Sequence, residues 1–250
     1  MYPGSTSSLV LERCRAFRNG VRGPPRDCLP GITLPEAVVS SSRRQIRLGF
    51  TDEPFPEGTH MCHIFSDEEE QGDVISRYVA AGLAEGEQAC YFADAMSVDE
   101  TRARLASLGV PVPAVDDQQL LVAPAVDMYC PDGAFVPDRM LANFPIVYNA
   151  GREAGFAGVR ATGEMSWARR GLPGSERLIE YESRINTIVR EVPLTAVCQY
   201  DARLFDGATL FEVLIVHPVM IVRGRISRNP YYLPPEEFQR RGRGLAGSPG

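Results

Sequence analysis

The sequence predicts a three-layer α/β fold, with a mostly parallel sheet covered by helices on both faces. Two observations lead to this prediction. Short apolar runs alternate with longer segments of helical periodicity from residue 58 onwards, which is typical of βαβ units. The apolar runs are also nearly continuous rather than interrupted by polar residues, as expected of strands that are buried on both faces.

Five apolar runs are the predicted strands of this sheet, and helix-period segments separate them. A short helix followed by an extra strand is predicted within 208–223. The predicted strands are 60–65, 88–93, 119–123, 157–162 and 195–200, and the predicted helices are about 68–84, 97–108, 137–154 and 174–191.

The first helix illustrates why these residues favour helical structure. Val74 and Tyr78 are four residues apart, which is the spacing of a buried helical face. Ser66 is the predicted N-cap, and the acidic residues 67–70 complement the positive end of the helix dipole. Gly86 is suitably placed to end the helix in a left-handed conformation.

The turn after the first strand argues against nucleotide chemistry. A phosphate loop at this position requires glycine-rich backbone and usually a lysine. Residues 66–70 read SDEEE instead, and all 26 basic residues of the chain are arginines. The strand 157–162 carries Arg160 but no acidic residue that would hold Mg²⁺. We therefore predict no cofactor and no ATP hydrolysis.

Composition divides the chain into three parts. Residues 1–50 contain eight arginines against three acidic residues, together with clusters of proline, glycine and serine. We predict that 1–50 is a disordered or loosely structured extension, 51–235 the folded domain and 236–250 a flexible tail. The net charge of −6 leaves the predicted domain acidic, so direct nucleic-acid binding is not expected.

The location that the sequence predicts is the cytoplasm. No apolar run approaches the roughly 20 residues that span a bilayer. The N-terminus also lacks the charged-then-apolar layout of a secretory signal.

The main predicted site lies at the carboxyl ends of the strands, where open α/β sheets bind ligands. Trp167, the only tryptophan, follows Glu164 closely, and Tyr200 ends a neighbouring run. An aromatic wall beside a few polar groups is typical of a small-molecule pocket. Arg160 either pairs with a carboxylate such as Glu164 or Glu180 or binds an anionic ligand. The predicted ligand-binding residues are Cys62, Ser66, Arg160, Glu164, Trp167 and Tyr200.

Histidine and cysteine residues suggest an alternative site. His60 and Cys62 share one face of the first strand, with His63 on the other. Together with Cys198 and His217 they offer nitrogen and sulfur donors for a metal ion. Their spacing is not specific, however, and a hydrogen-bonded histidine beside a buried thiol is the preferred interpretation. No metal site and no catalytic residue are therefore predicted.

Several short motifs occur in the order found in one protein family. As an ordered set, over roughly Thr51 to Pro235, they resemble the MEDS domain. This is the sensory domain of methanogen and methylotroph regulators, including the dichloromethane-responsive repressor. The resemblance implies a degenerate RecA-like fold, related to the ATPases of the circadian clock but without their phosphate loop. The motifs are GTHMCHIF, GLAEGEQACYF, RATGEMSW, LIEYESRIN, AVCQYD and HPVMIVRG followed by NPYYLPP.

The resemblance implies a bacterial signalling protein involved in transcription regulation. Family members are proposed to sense small hydrocarbon derivatives, and they commonly occur beside DNA-binding or histidine-kinase modules. We expect this domain to bind a small molecule and to act on a separate regulator, kinase or anti-sigma-type protein. Ser66 stands where many members have tyrosine, which leaves the identity of the ligand open.

Two alternative functions come from other classes of protein. One is a hydrolase or metal-dependent enzyme that uses Glu164, Cys62 or His60. The other is an interaction scaffold without a ligand. A catalytic nucleophile and its base within hydrogen-bond reach would distinguish the enzyme from the other two classes.

Overall fold

The predicted parallel sheet is present and contains seven strands. The computed structural model describes residues 43–114 and 117–245, so most of the predicted extension and residues 246–250 lie outside the described part of the chain. Cys14 and Cys28 also lie outside it. The strands are β1 Gln45–Ile46, β2 Phe55–Pro56, β3 His60–Phe65, β4 Gln88–Ala93, β5 Leu120–Pro124, β6 Val159–Glu164, β7 Thr195–Asp201, β8 Val219–Val222 and β9 Arg225–Arg228.

Helices connect these strands in the alternating pattern that the sequence predicts. The first predicted helix, 68–84, has the predicted bounds. Two short 3₁₀ helices, Met165–Arg170 and Ser175–Arg177, follow β6. The α-helices are α1 Glu68–Ala84, α2 Val98–Ser107, α3 Ala125–Tyr129, α4 Pro137–Glu153, α5 Leu178–Glu191, α6 Gly207–Val216 and α7 Pro235–Leu245.

The sheet has the order β5-β4-β6-β7-β3-β8-β9. The pairs from β5 to β8 are parallel, and β9 pairs with β8 in the antiparallel direction. One apolar core joins the sheet to α1 and α2, and a second core joins the opposite face to α3, α4, α5 and α6. The predicted three-layer α/β fold is therefore confirmed.

The ends of α1 follow from local chemistry. Asp67 caps the helix, because its carboxylate accepts hydrogen bonds from the backbone N–H groups of Glu69 and Glu70 at 2.8 and 2.9 Å. The N-cap is thus one residue later than the predicted Ser66. Gly86 has a φ angle of +71°, as predicted for a left-handed residue that follows a helix.

The folded unit extends beyond both predicted boundaries. Ile46 of β1 and Leu48 are completely buried, and Arg44 forms an ion pair with Glu57. The boundary predicted at residue 50 is therefore too late, because the surrounding arginine and serine residues obscure this short apolar pair. At the other end, α7, Pro235–Leu245, continues into the predicted flexible tail, 236–250.

The part of the chain that the structure describes has no helix with both the length and the apolar character needed to cross a bilayer.

Candidate functional site

Four buried side chains with metal-binding chemistry meet on the α5 side of the sheet. His60 begins β3, Cys198 lies in β7, Glu182 lies in α5 and His217 follows α6. One nitrogen, oxygen or sulfur atom from each lies within 4.8 Å of the others. We refer to His60, Glu182, Cys198 and His217 as the buried quartet.

The contacts within the buried quartet are short. Oε2 of Glu182 lies 3.1 Å from Nε2 of His60 and 3.3 Å from Nε2 of His217. Nε2 of His60 is also 3.4 Å from Sγ of Cys198. Burial of a carboxylate and two imidazoles is unfavourable unless they interact with polar partners. In the buried quartet these groups are one another's partners.

Neighbouring groups orient both imidazoles. The side-chain amide of Asn186 donates to the carbonyl of Val216 at 2.7 Å, so its Oδ1 accepts from Nδ1 of His60 at 3.2 Å. Nδ1 of His217 donates to the carbonyl of Val213 at 2.7 Å. Both Nε2 atoms therefore face Glu182, while the Tyr200 hydroxyl donates to its other oxygen, Oε1, at 2.7 Å.

The environment shifts the pKa values of these groups in different directions. Burial acts to raise the pKa of Glu182, whereas His217 and His60 lower it when they carry a proton on Nε2. Burial, and then the neighbouring His217, lower the pKa of His60. Burial and the charge of Glu182 raise the pKa of the Cys198 thiol, which disfavours a free thiolate nucleophile.

The buried quartet only partly matches the alternative metal site predicted from sequence. His60, Cys198 and His217 come together as that alternative required, and Glu182 takes the fourth place. Cys62 lies on the same face of the sheet, but its thiol is directed at the carbonyl of Val219, 3.9 Å away. Sequence reasoning missed Glu182, although Glu182 and Asn186 form a polar pair at helical spacing beside the apolar stripe of α5.

A small apolar cavity of about 40 Å³ borders the buried quartet. Cys198 belongs to the buried quartet and also lines the cavity. Tyr129, another lining residue, stacks on the ring of Trp167 at a centroid distance of 4.8 Å. Trp167 itself is completely buried. Residues that line the cavity include Phe92, Tyr129, Phe144, Ala161, Tyr181 and Cys198.

The predicted ligand-binding residues do not converge on one pocket. None of them is among the described residues that line the cavity. Glu164 is paired in register with Gln199, so Glu164 and Tyr200, the next residue of β7, project to opposite faces of the sheet. Ser66 is exposed, and Trp167 is completely buried rather than partly buried. The expected convergence of Glu164, Trp167 and Tyr200 was therefore wrong, while the role of each in ligand binding stays a prediction.

Arg160 is paired with a carboxylate, as one of its two predicted roles required. The partner is Glu87, not Glu164 or Glu180. Arg160 is the second residue of β6, so it lies near the amino end of the strand, away from the edge where the ligand site was predicted. Its environment is that of a structural ion pair.

Glu164 supports the turn after β4. Its Oε1 accepts a hydrogen bond from the Tyr91 hydroxyl at 2.7 Å. Its Oε2 accepts from the backbone N–H groups of Asp94 and Ala95 at 2.7 and 2.6 Å. The carboxylate is only 6% exposed, and three donors occupy its oxygens. The structure thus gives Glu164 a positioning role that sequence reasoning missed.

We expect Glu164→Gln to lower the free energy of unfolding by about 2 kcal/mol, since hydrogen bonds to a charged group each contribute roughly 1.5–3 kcal/mol and the amide retains only one acceptor oxygen. Urea denaturation at neutral pH measures this effect. The exposed Glu176→Gln is a matched control and should change stability by less than about 0.5 kcal/mol. Equal effects of the two substitutions would contradict the assigned role.

The turn after β3 does not form a phosphate cradle. The amides of Glu69 and Glu70, which would face a phosphate at the start of α1, already donate to the Asp67 carboxylate. The exposed side chains of Glu68 and Glu69 add negative charge at the same position. These contacts occupy the amides that a phosphate would need, and the absence of nucleotide binding at this turn stays a prediction.

The strand order and layers described above define a RecA-like α/β protein. A KaiC-like protein, PH0186 from the hyperthermophilic archaeon Pyrococcus horikoshii OT3, is similar over 72% of this chain and 80% of its own, with 16% identity and a TM-score of 0.53. The flagellar accessory protein FlaH from Methanocaldococcus jannaschii is similar over 67% of this chain and 71% of its own, with 10% identity and a TM-score of 0.48.

The sequence profile of the MEDS family, the methanogen/methylotroph, DcmR sensory domain, matches residues 59–218. The chain belongs to this family. The predicted resemblance is thereby confirmed, and a sensing or signalling role follows from it. No curated protein matches the sequence.

Proposed function

We propose that this chain is a cytoplasmic sensory domain that binds a small, largely apolar molecule and passes the signal to a separate regulator of transcription, without catalysis. Membership of a sensory family supports the signalling part of the proposal. The observation that carries the choice of ligand is the apolar cavity beside the buried quartet. Apolar cavities of this kind bind apolar ligands in preference to water.

The volume of the cavity limits the size of the ligand. One water molecule requires roughly 10–15 Å³ of such a cavity. A cavity of about 40 Å³ therefore holds a molecule of roughly three or four non-hydrogen atoms. Dichloromethane and 1-propanol have this size. At a ceiling of about 1.5 kcal/mol per non-hydrogen atom, a three-atom ligand binds with a dissociation constant of about 0.5 mM or weaker.

The positions of the candidate catalytic residues favour a sensor over an enzyme. Glu164 projects towards α1, whereas His60 and Cys62 project towards α5, so the proposed enzymatic residues lie on opposite faces of the sheet. His60 lies within hydrogen-bond reach of the Cys198 thiol, but burial and the charge of Glu182 raise the pKa of that thiol. The Cys62 thiol is directed at the Val219 carbonyl, and burial raises its pKa as well. An activated nucleophile needs a nearby base or a lowered pKa.

The proposed path of the signal to the surface runs through α6. His217 follows this helix and contacts Glu182, while Val213 packs in the core that contains the cavity. On the outer side of α6, Phe211 is 59% exposed, and Leu204 before the helix is 48% exposed. A partner protein that covers these two side chains would bury apolar surface at α6.

Ligand binding can be measured by Trp167 fluorescence, since Trp167 is the only tryptophan and stacks on a wall of the cavity. We expect saturable changes with dichloromethane or 1-propanol. Ala161→Val should weaken binding by about tenfold or more, because the added methyl groups occupy the cavity. Ala80→Val is the matched control, since Ala80 packs against the other core.

Two results would contradict the proposed ligand class. One is the absence of a saturable response at probe concentrations well above about 1 mM, the affinity range set by ligand size. The other is an equal loss of binding in Ala161→Val and Ala80→Val while both variants remain folded by circular dichroism.

A further inference from the structure

We propose that the buried quartet is a four-coordinate site for a divalent transition-metal ion of the zinc class. This inference rests on the geometry of His60, Glu182, Cys198 and His217 and is independent of the proposed apolar ligand. It goes beyond the sensory role, because the ion would join β3, β7, α5 and the end of α6 in the core.

The distances within the buried quartet match a tetrahedral ion. Typical bond lengths of about 2.0–2.3 Å from zinc to nitrogen, oxygen and sulfur place neighbouring ligand atoms about 3.3–3.6 Å apart. Three pairs of ligand atoms here are separated by 3.1, 3.3 and 3.4 Å, and all four atoms lie within 4.8 Å of one another. The widest pair, at 4.8 Å, must close by about 1 Å to place all four ligand atoms around one ion.

The hydrogen bonds around the buried quartet leave lone pairs without a donor. Nδ1 of each histidine is occupied by Asn186 or by the Val213 carbonyl, so both Nε2 atoms present lone pairs to Glu182. Among the described residues, Nε2 of His217 and Oε2 of Glu182 have no hydrogen-bond partner of acceptable geometry. Buried, unsatisfied acceptors that face one another are unfavourable, and a cation between them would satisfy all of them at once.

The chemistry of the four ligands indicates which ion fits. Two neutral imidazoles, one carboxylate and one thiolate are ligands of borderline softness, which suits Zn²⁺ or Co²⁺ better than Mg²⁺ or Ca²⁺. Glu182 and a metal-bound Cys198 thiolate supply two negative charges, so a divalent ion leaves the buried site neutral. A metal ion deprotonates a coordinating thiol, and the proton passes to solvent when the site forms.

The neighbours of the ligands have the arrangement of a metal site. Asn186 and the Val213 carbonyl fix the two imidazole rings, and the Tyr200 hydroxyl holds the free oxygen of Glu182. Such outer partners typically change metal affinity ten- to a hundredfold. All four positions are filled by the protein, which is typical of a structural site rather than of a catalytic one.

Cobalt provides a direct test of the site. The full chain is unfolded with a chelator, refolded with Co²⁺ alone and separated from unbound ion. We expect one cobalt per chain, the intense visible bands of tetrahedral Co²⁺ and a thiolate-to-cobalt charge-transfer band in the near ultraviolet. Cys198→Ser should remove the charge-transfer band, whereas Cys62→Ser, a matched buried thiol on the same face, should retain it.

Tyr200→Phe keeps all four ligands and tests the site if Cys198→Ser does not fold. It should retain the cobalt spectrum and weaken binding by about ten- to a hundredfold, measured by competition with a chelator. The proposal is overturned if the refolded wild-type chain is native by circular dichroism yet binds no stoichiometric cobalt. An octahedral spectrum, or equal loss of the charge-transfer band in Cys62→Ser, would overturn it as well.

Discussion

Replacing Arg160 by methionine should lower the free energy of unfolding by about 3 kcal/mol, the lower end of the range for breaking a buried ion pair, because Glu87 loses its fully buried partner and keeps only the partly exposed Arg44. Arg160 is completely buried, and Glu87 is 2% exposed. Methionine retains the apolar part of the side chain, so the change is mainly the loss of charge and hydrogen bonds. Urea denaturation at pH 7 measures the effect.

The contacts of Arg160 explain why the expected effect is large. Its guanidinium pairs with Glu87, donates to the carbonyl of Tyr78 at 2.8 Å and lies 4.8 Å from the centre of the Tyr78 ring. It also donates to the carbonyl of Arg47 at 3.3 Å, which connects β6 to the chain after β1. A Cβ atom at Gly82 would overlap this side chain, so the glycine makes room for the arginine.

Arg77→Met is the matched control for this experiment. Arg77 forms an exposed ion pair with Asp73 one helical turn away, and such pairs contribute about 0.3–0.5 kcal/mol. If Arg160→Met destabilises the protein no more than Arg77→Met does, the assigned role of the Arg160–Glu87 pair is wrong.

Much of the fold was predictable because its strands and helices have different hydrophobic periods. The runs around Met61 and Ala89 are continuous because β3 and β4 are buried on both faces, and Val74 and Tyr78 mark the buried side of α1. The strand order was not predictable, since no local pattern specifies that β3 lies between β7 and β8. The pair Ile46 and Leu48 was missed because it is too short to show a period.

The site was less predictable than the fold, because it depends on contacts between residues that are distant in sequence. His60 and Cys198 are 138 positions apart, and their meeting depends on the register between β3 and β7. The two-residue shift of β6 places Glu164 within the strand, where the alternation of side chains directs it away from Tyr200. A charged residue in a helix, such as Glu182, is normally exposed, and only its buried partners explain its position.

The third histidine of the chain should make stability depend on pH. His63 lies on the face of the sheet opposite to His60, is completely buried and has no hydrogen bond to either ring nitrogen among the described residues. Burial lowers its pKa from 6.5 to about 4. Its neighbours in register, Gln199 and Ile221, are uncharged, and the nearest carboxylate is that of Glu70, 3.8 Å from Nε2.

The sign of this dependence follows from proton binding. Between pH 6.5 and about 4, the unfolded chain holds a proton on His63 that the folded chain does not, so the free energy of unfolding decreases as the pH falls. The full shift of about 2.5 pH units corresponds to a loss of about 3 kcal/mol, with stability fully retained above pH 6.5.

His63→Phe isolates this contribution, because phenylalanine has a similar shape and does not titrate. Urea denaturation of both proteins at pH 7 and pH 4 gives the comparison. The wild type should lose about 3 kcal/mol more than the variant over this range, since every other titrating group is common to the two proteins. An equal loss of stability in both proteins would contradict this prediction. It would show that His63 accepts a proton as readily in the folded protein as in the unfolded chain.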